Sequence, residues 1–239
     1  MRRHGVLVVY SLFVLCLLGA CNNADQGAKE RANAHAPTSE VTSAENASGL
    51  RSALPQATQP TSFHGAALRE AQQTLSNFHV VEPFLLRGAA PTPKGVSCLK
   101  ALGVKTVIDL RIAPKHVAAE RKLVEGAGMR YVNLPMSAEP PTQKEIDTFL
   151  AIVRDPDREP VYVHCQYGAD RTGCMVGLYR EIYEGWNYQK TYSEMRKYGF
   201  KPYLHKLAAT VQRYQPGSPE AKQERAKVEA LLEHRTLKP

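Results

Sequence analysis

A cysteine and an arginine lie six residues apart in the stretch HCQYGADRTG, residues 164–173. Cys165 directly follows an apolar run that is typical of a buried strand, and Arg171 begins a helical pattern. The stretch between them therefore joins the carboxyl end of a strand to the start of a helix, the place where open α/β sheets bind ligands. At Gly168 the backbone can turn tightly and direct several N–H groups at one point.

This pattern is suited to binding a phosphate group. The start of a helix offers unpaired N–H groups and the positive end of the helix dipole, and both favour an anion. The same field favours a thiolate, so Cys165 could act as a nucleophile at neutral pH. Arg171 offers a planar pair of N–H donors to phosphate oxygens. The other predicted substrate-binding residues are the variable positions of the loop: Gln166, Tyr167, Gly168, Ala169 and Asp170.

The pattern H-C-x5-R-T-G, formed by His164, Cys165, Arg171, Thr172 and Gly173, resembles the active-site motif of the cysteine-dependent protein tyrosine and dual-specificity phosphatases. The resemblance implies that Cys165 forms a phosphocysteine intermediate while Arg171 binds the transferring oxygens, without a metal or other cofactor. It also implies that Thr172 hydrogen-bonds the sulfur and that His164 orders the loop. The stretches LLRGAAPTPKGVSCLKALGVKTVIDLR, YVNLPM and YREIYEGWNYQKTYSEMRKYGF resemble the flanks of bacterial members of this superfamily, over about residues 78–200.

The sequence departs from that family at the expected proton donor. Such phosphatases usually place an aspartate on a loop about thirty residues before the cysteine, where this chain reads LPMSAEPPT. Glu139 is the nearest acid there and is the first candidate. Asp170 is the second: it must point away from the phosphate, orient Arg171 or a water, or donate the proton itself. Asp147 lies inside a predicted helix and is interpreted as a solvated residue.

The substrate class stays open between two kinds of phosphate ester. The D-R-T end of the loop resembles the myotubularin phosphoinositide phosphatases, so inositol phosphates and phosphoinositides are alternatives to phosphotyrosine and other phosphoproteins. No lysine lies inside the loop, which favours phosphoproteins. A non-catalytic phosphate-binding lipoprotein is a further alternative. A rhodanese-like sulfur carrier is disfavoured by the Arg-Thr-Gly continuation.

Other polar residues and cysteines have more ordinary interpretations. Asp109 and Arg111 end a predicted strand, where they either shape the pocket or form an ordinary ion pair. Cys98 and Cys174 are predicted to be core residues. No group of residues has metal-ligand spacing, so we expect no metal.

Strands alternate with helices along the predicted domain. The β-rich runs are FHVVEPFLLRG, interrupted by Pro83, then KTVIDLR, MRYVNLPM and PVYVHC. In TQKEIDTFLAIV, Thr142 is a predicted helix cap with Glu145 as its partner. The sequence therefore predicts an α/β fold in which helices flank a small central sheet. This is also what the phosphatase resemblance implies.

The chain is predicted to contain four segments. Residues 1–20 have the layout of a lipoprotein signal peptide, with Leu18, Gly19, Ala20 and Cys21 resembling a lipobox in which Cys21 is lipidated. Residues 21–62 are too poor in large apolar residues to fold and are interpreted as a tether. Residues 63–215 form the phosphatase-like domain, and residues 216–239 form a charged helix. The expected location is the cell envelope, on the periplasmic side of a membrane, with the lipid as anchor.

The chain is basic, with 31 lysines and arginines against 23 acids and a formal net charge of +8. This balance favours an anionic substrate. Because the basic residues are scattered and do not alternate with aromatic residues, no nucleic-acid partner is expected. The few cysteines are not spaced like a disulfide scaffold, which leaves a thiol for chemistry.

Overall fold

The computed structural model describes Phe63 and residues 65–236. The predicted signal peptide, the lipidated Cys21 and the tether lie outside the described residues and stay predictions. Among the described residues, no helix is both long and apolar enough to cross a membrane.

The described part of the chain forms five strands and eight helices, which alternate from β2 to α5. The strands are β1 (His79–Glu82), β2 (Leu85–Ala89), β3 (Thr106–Asp109), β4 (Arg130–Asn133) and β5 (Val161–Cys165). The helices are α1 (Ala66–Thr74), α2 (Pro93–Ala101), α3 (Pro114–Gly126), α4 (Gln143–Val153), α5 (Asp170–Tyr183), α6 (Tyr188–Lys197), α7 (His205–Arg213) and α8 (Pro219–Thr236). The predicted strands and helices are confirmed, including the break between β1 and β2 that contains Pro83.

The strands form one sheet in the order β1-β2-β5-β3-β4. Strand β1 pairs antiparallel with β2, whereas β2, β5, β3 and β4 are parallel neighbours. Ala89 is in register with Cys165, and Asp109 is in register with His164. The carboxyl ends of the parallel strands therefore meet at one edge of the sheet, and β5 ends there at its centre.

Helices cover both faces of the sheet, as the α/β prediction requires. On one face, Phe149 of α4 and Met175 of α5 are fully buried with Val163 of β5. On the other face, Leu99 of α2 and Val124 of α3 are fully buried. Helix α5 thus begins at the edge where β5 ends and continues into the larger of the two cores.

Local sequence signals determine several helix starts. Thr142 accepts a hydrogen bond from the backbone N–H of Glu145, and the Glu145 carboxylate accepts one from the N–H of Thr142. This is the predicted capping box. Thr92 caps α2 in a similar way, with Pro93 as the first helical residue.

The C-terminal helix α8 packs on the domain. Val228 and Ala221 are buried in the core against α4 and α5, and Leu232 is partly buried beside them. Leu231, in contrast, is 49% exposed. The charged helix predicted in residues 216–239 therefore packs on the domain.

Candidate active site

The strand β5 ends at Cys165, the predicted nucleophile, and the helix α5 begins at Asp170. A four-residue loop joins them, and Arg171, the predicted phosphate-binding residue, is the second residue of the helix. Gly168 has φ +67°, a left-handed backbone conformation that favours glycine. The sequence-predicted loop residues 166–170 are therefore together at the carboxyl edge of the sheet. Tyr167 is 68% exposed at the outer side of this loop.

Three consecutive carbonyl groups of the loop accept hydrogen bonds from outside it. The Gln166 oxygen accepts from the N–H of Ala90 at 3.4 Å, and the Tyr167 oxygen accepts from Asn77 Nδ2 at 3.1 Å. The Gly168 oxygen accepts from Arg87 Nη2 at 2.8 Å. In a planar trans peptide the N–H points opposite to the C=O. The N–H groups of the next three residues, 167–169, therefore point to the inner side of the loop, where an anion would lie.

The thiol of Cys165 is buried, with 2% of the residue exposed. Burial alone raises its pKa, but four other contributions together lower the pKa below that of an ordinary cysteine. They are the hydroxyl and the backbone N–H of Thr172, the charge of Arg171 and the backbone N–H of Tyr167. Each of them stabilises the thiolate, which is the reactive form. The structure thus brings Cys165, Arg171 and Thr172 together as the sequence predicted.

The guanidinium of Arg171 is held by backbone carbonyl groups that follow two neighbouring strands. Its Nη1 donates to the carbonyl oxygens of Leu110 and Met136, each at 3.2 Å. Leu110 follows β3, and Met136 follows β4. Because both bonds use one nitrogen, the guanidinium can present Nε and Nη2 to an oxyanion.

A cavity of about 450 Å³ opens beside Arg171. Asp170 and Arg171 line it from α5, and the loop after β4 lines it from another side. Tyr203 and Ile112 stand at its mouth, 66% and 58% exposed. The remaining lining residues are Met136, Ser137, Ala138, Leu204 and Leu207. This cavity is the space available to the part of a substrate beyond its phosphate.

The two candidate proton donors are both paired with lysines. Glu139 is exposed on the loop after β4, and its carboxylate lies 2.6 Å from Lys206 Nζ of α7. Asp170 accepts a hydrogen bond from the backbone N–H of Lys201 at 2.9 Å and lies 3.3 Å from Lys201 Nζ. Both oxygens of Asp170 are therefore engaged by one residue, on the side of α5 that faces the end of α6.

Asp109 and Arg111 are buried in a polar cluster behind the loop. Arg111 binds Asp109 through Nε and Nη2, and its Nη2 also lies 2.5 Å from Glu120. His164 Nε2 lies 2.7 Å from Glu120 Oε1, and His164 Nδ1 is 3.2 Å from the carbonyl oxygen of Cys165. Tyr131 donates to Asp109 at 2.6 Å. The pair Asp109–Arg111 is thus engaged internally, and through Glu120 it supports His164 next to the nucleophile.

Three ligand-type residues of this cluster, Asp109, Glu120 and His164, lie within 4.8 Å of one another. The positive charge of Arg111 lies against both carboxylates, so the space between them already contains a cation. The cluster is therefore better described as an ion-pair network, and the expectation that the chain needs no metal stays a prediction.

Two further cysteines and several aromatic residues of the described chain pack inside the fold. Cys98 and Cys174 are buried as free thiols, and burial raises the pKa of Cys174 to about 12, which makes it a poor nucleophile. Trp186 packs against the guanidinium of Arg180, and Tyr188 packs against Tyr192. The burial of Cys98 and Cys174 agrees with their prediction as core residues.

Sequence reasoning missed three residues that contact the site from distant parts of the chain. Asn77 and Arg87 bond to the loop, and Glu120 pairs with His164. One signal was present, because an arginine in the apolar run FLLRG is unusual for a buried strand. Asn77 and Glu120 lie in ordinary polar surroundings in the sequence and gave no signal.

Residues 62–213 match a family model described as a DSP-PTPase phosphatase fused to NAD+ kinase. The chain belongs to this phosphatase family. The match includes the whole sheet, the loop 166–169 and helices up to α7. The family assignment agrees with the resemblance found in the H-C-x5-R-T-G motif, and the fold agrees with it as well.

Named relatives include two kinds of phosphatase. The chain is 33% identical over 125 residues to the dual specificity protein phosphatase TpbA of Pseudomonas aeruginosa, covering 52% of this chain and 55% of TpbA. It is 30% identical over 127 residues to the inositol diphosphatase DSP3 of Arabidopsis thaliana, covering 51% of this chain and 62% of DSP3. The chain therefore spans between half and two thirds of the length of these relatives.

A crystal structure of P. aeruginosa TpbA in complex with pTyr is similar to this fold. Its TM-score is 0.53 at 26% sequence identity, with 64% of this chain and 90% of the TpbA chain covered. The α/β architecture predicted from the sequence is thus that of a known dual-specificity phosphatase.

Proposed function

We propose that this chain hydrolyses phosphate monoesters through a phosphocysteine intermediate on Cys165. One observation supports this most strongly: a thiol of lowered pKa lies at the end of β5, beside a loop whose N–H groups point inward. The Arg171 guanidinium faces the same point from α5. A nucleophile and a set of anion donors are thereby directed at one phosphate-sized position.

In the first step the Cys165 thiolate attacks phosphorus, the S–P bond forms and the P–O bond to the leaving group breaks. The leaving oxygen takes a proton from an acid as it departs. In the second step water attacks phosphorus and gives a proton back to the acid of the first step, the S–P bond breaks, and Cys165 returns as a thiolate with inorganic phosphate as product. Arg171 and the loop N–H groups bind the equatorial oxygens in both steps, where charge is concentrated.

Glu139 is the better of the two candidate acids. It lies on the loop that also provides Met136 to Arg171 and Ser137 to the cavity, and its carboxylate pairs with an exposed lysine, Lys206. Asp170 lines the cavity, but both of its oxygens are bonded to Lys201, and these bonds would have to break before it could donate a proton. Asp170 therefore has a structural part in orienting the loop end, and Glu139 donates the proton.

The favoured substrate is an aryl phosphate of the phosphotyrosine type in a protein. The cavity beside Arg171 has apolar and aromatic walls, with the Tyr203 ring and Ile112 at the mouth and Tyr167 exposed on the loop. Such walls suit a flat ring and its peptide. The nearby lysines Lys201 and Lys206 are each paired with an acid, which reduces the attraction for a polyanion. The TpbA complex with pTyr supports the same class.

Inositol phosphates are the second candidate. The relative DSP3 is an inositol diphosphatase, and two lysines pair with acids near the cavity, Lys201 with Asp170 and Lys206 with Glu139. A polyanionic ring would have to displace Asp170 and Glu139 from these lysines before it gained their charge. Phosphoinositides belong to the same candidate, since they present the same headgroup.

The test is phosphate release by the full chain, purified in detergent, from a phosphotyrosine peptide, inositol hexakisphosphate and a phosphoinositide. We expect turnover of the peptide at the lowest substrate concentration and complete loss of turnover in Cys165→Ser. Preferred turnover of either inositol compound would establish the second candidate. Tungstate binding without turnover of any ester would leave a phosphate-binding module as the function.

We also propose that the chain is anchored by lipid on Cys21 in the cell envelope, on the periplasmic side of a membrane. The proposal is based on the apolar run and the residues LGAC at 18–21. A tether of some forty residues would let the domain act at a distance from that membrane. Incorporation of labelled palmitate into the wild type, and its absence in Cys21→Ala, tests the anchor.

A further inference from the structure

A large, fully buried arginine of the sheet, Arg87, lies directly outside the phosphate loop. Arg87 is 0% exposed in the middle of β2, between the apolar residues of the sheet. Its Nη2 donates to the Gly168 oxygen at 2.8 Å. Within the described part of the chain, its Nε and Nη1 have no hydrogen-bond partner. A guanidinium in this position costs free energy, because two of its donors are desolvated without compensation.

The guanidinium is fixed by an aromatic ring. Its Cζ lies 4.6 Å from the centre of the Tyr198 ring, and the His79 ring packs against the same tyrosine at 3.9 Å between ring centroids. Tyr198 ends α6, and its carbonyl oxygen accepts from Asn77 Nδ2 at 3.0 Å. The same Asn77 amide binds the Tyr167 oxygen. Asn77 and Arg87 thus contact adjacent loop carbonyls and a common residue, Tyr198.

We propose that Arg87 and Asn77 are positioning residues, which orient the peptide groups after Gly168 and Tyr167 so that their N–H groups face the substrate phosphate. The inference rests on the proposed function, whose site it deepens. If the Gly168 carbonyl lost its donor, the peptide between Gly168 and Ala169 could rotate and present an oxygen to the phosphate in place of an N–H. Such a rotation would remove one anion donor and repel the anion.

The choice of residues at both positions fits this role. Asn77 has φ +52°, the one non-glycine residue with a left-handed backbone in the described chain, and asparagine tolerates this conformation. Its two amide hydrogens are used on two carbonyls from different elements. Arg87 precedes Gly168 by 81 positions in the sequence and bonds to it while its side chain stays fully buried. Neither residue lines the cavity, so neither is expected to bind substrate directly.

The test compares Arg87→Met and Asn77→Gly with the wild type, using the full chain. Methionine fills much of the volume of the arginine without its donors, and glycine permits the φ of Asn77 without its amide. We expect tungstate affinity to fall by about tenfold in each variant, as for the loss of one hydrogen bond to an anion-binding group. We also expect slower alkylation of Cys165 by iodoacetamide at slightly acidic pH, measured on the Cys165 peptide by mass spectrometry.

Arg180→Met is the matched control. Arg180 is also a buried arginine, but it pairs with Glu82, Glu184 and Glu194 and contacts no residue of the loop. The Arg180→Met variant should have a lower melting temperature, whereas its tungstate affinity and its rate of Cys165 alkylation should not change. These readouts do not depend on turnover. If no ester is a substrate, the proposed function is overturned. The proposal that Arg87 and Asn77 orient the loop peptides is still decided by tungstate affinity and alkylation.

Unchanged tungstate affinity and unchanged alkylation in folded Arg87→Met would overturn the proposal. If Arg87→Met does not fold, Asn77→Gly decides by the same two measurements. If the wild type is active, the two variants should lose kcat without a change in KM or melting temperature. Such a result would further support a positioning role, because the loop N–H groups bind the transition state most strongly.

Discussion

The backbone of Gly168 lies so close to that of Gly88 that a Cβ on Gly168 would stand 2.3 Å from the Gly88 carbonyl carbon and 2.4 Å from its oxygen. The phosphate loop therefore packs directly against β2, with no room for a side chain between them. This contact also brings Arg87, the neighbour of Gly88, within reach of the Gly168 oxygen.

Gly168→Ala is expected to inactivate the site while most of the fold remains. A methyl group cannot fit against Gly88, so the loop must move, and a displacement of about 1 Å costs on the order of 100-fold in rate. Phosphatase assays and tungstate binding measure the loss. Gly185→Ala is the matched control, since Gly185 has φ +69° but open space around it. It should cost about 1 kcal/mol of stability and leave activity intact.

Thr172→Ala should shift the pH dependence of activity. The Thr172 hydroxyl lowers the pKa of the Cys165 thiol, so its removal raises that pKa and reduces the thiolate fraction at acidic pH. The acidic limb of kcat/KM should therefore move to higher pH, with a loss of about tenfold at its acidic end. Thr172→Ser retains the hydroxyl and should retain the profile. An unmoved acidic limb in Thr172→Ala would contradict this account of the thiolate.

Glu139→Gln should slow esters with poor leaving groups. Because a general acid contributes about 10²- to 10⁴-fold, a phosphotyrosine peptide should lose turnover in this range, whereas p-nitrophenyl phosphate should lose little. Asp170→Asn should affect both substrates alike, since Asp170 is bonded to Lys201 and not to a leaving group. A leaving-group effect in Asp170→Asn, and none in Glu139→Gln, would reverse the assignment.

Glu181→Gln should stabilise the protein at alkaline pH. Burial raises the pKa of Glu181 from 4.5 to about 7, against a smaller lowering by the Thr191 hydroxyl. The folded state therefore retains a proton that the unfolded state releases, and the stabilising effect is complete below pH 4.5 and lost as the pH rises to 7.

Above that window the wild type should be less stable than Glu181→Gln by about 1–3 kcal/mol. Urea unfolding at pH 5 and at pH 8 measures the difference. Equal stability of the wild type and Glu181→Gln at pH 8 would show that the buried Glu181 carboxylate does not destabilise the folded state.

The succession of strands and helices along the chain was predictable because it depends on local signals. The capping pair Thr142 and Glu145, the break at Pro83 and the apolar run before Cys165 each concern residues close together in the chain. The packing of α8 was not predictable, since only two apolar residues of its charged sequence, Ala221 and Val228, are buried. Only the surfaces of α4 and α5 determine whether these residues are covered.

Sequence alone determined the chemistry of the site, because Cys165, Gly168, Arg171 and Thr172 lie in one strand–loop–helix segment whose geometry follows from short-range sterics and hydrogen bonds. Tertiary structure decided how that segment is supported. Arg87, Asn77 and Glu120 reach it from distant elements through the strand order of the sheet. Such contacts depend on which strands are neighbours and on which side chains become buried together, and neither property is encoded in the spacing of residues along the chain.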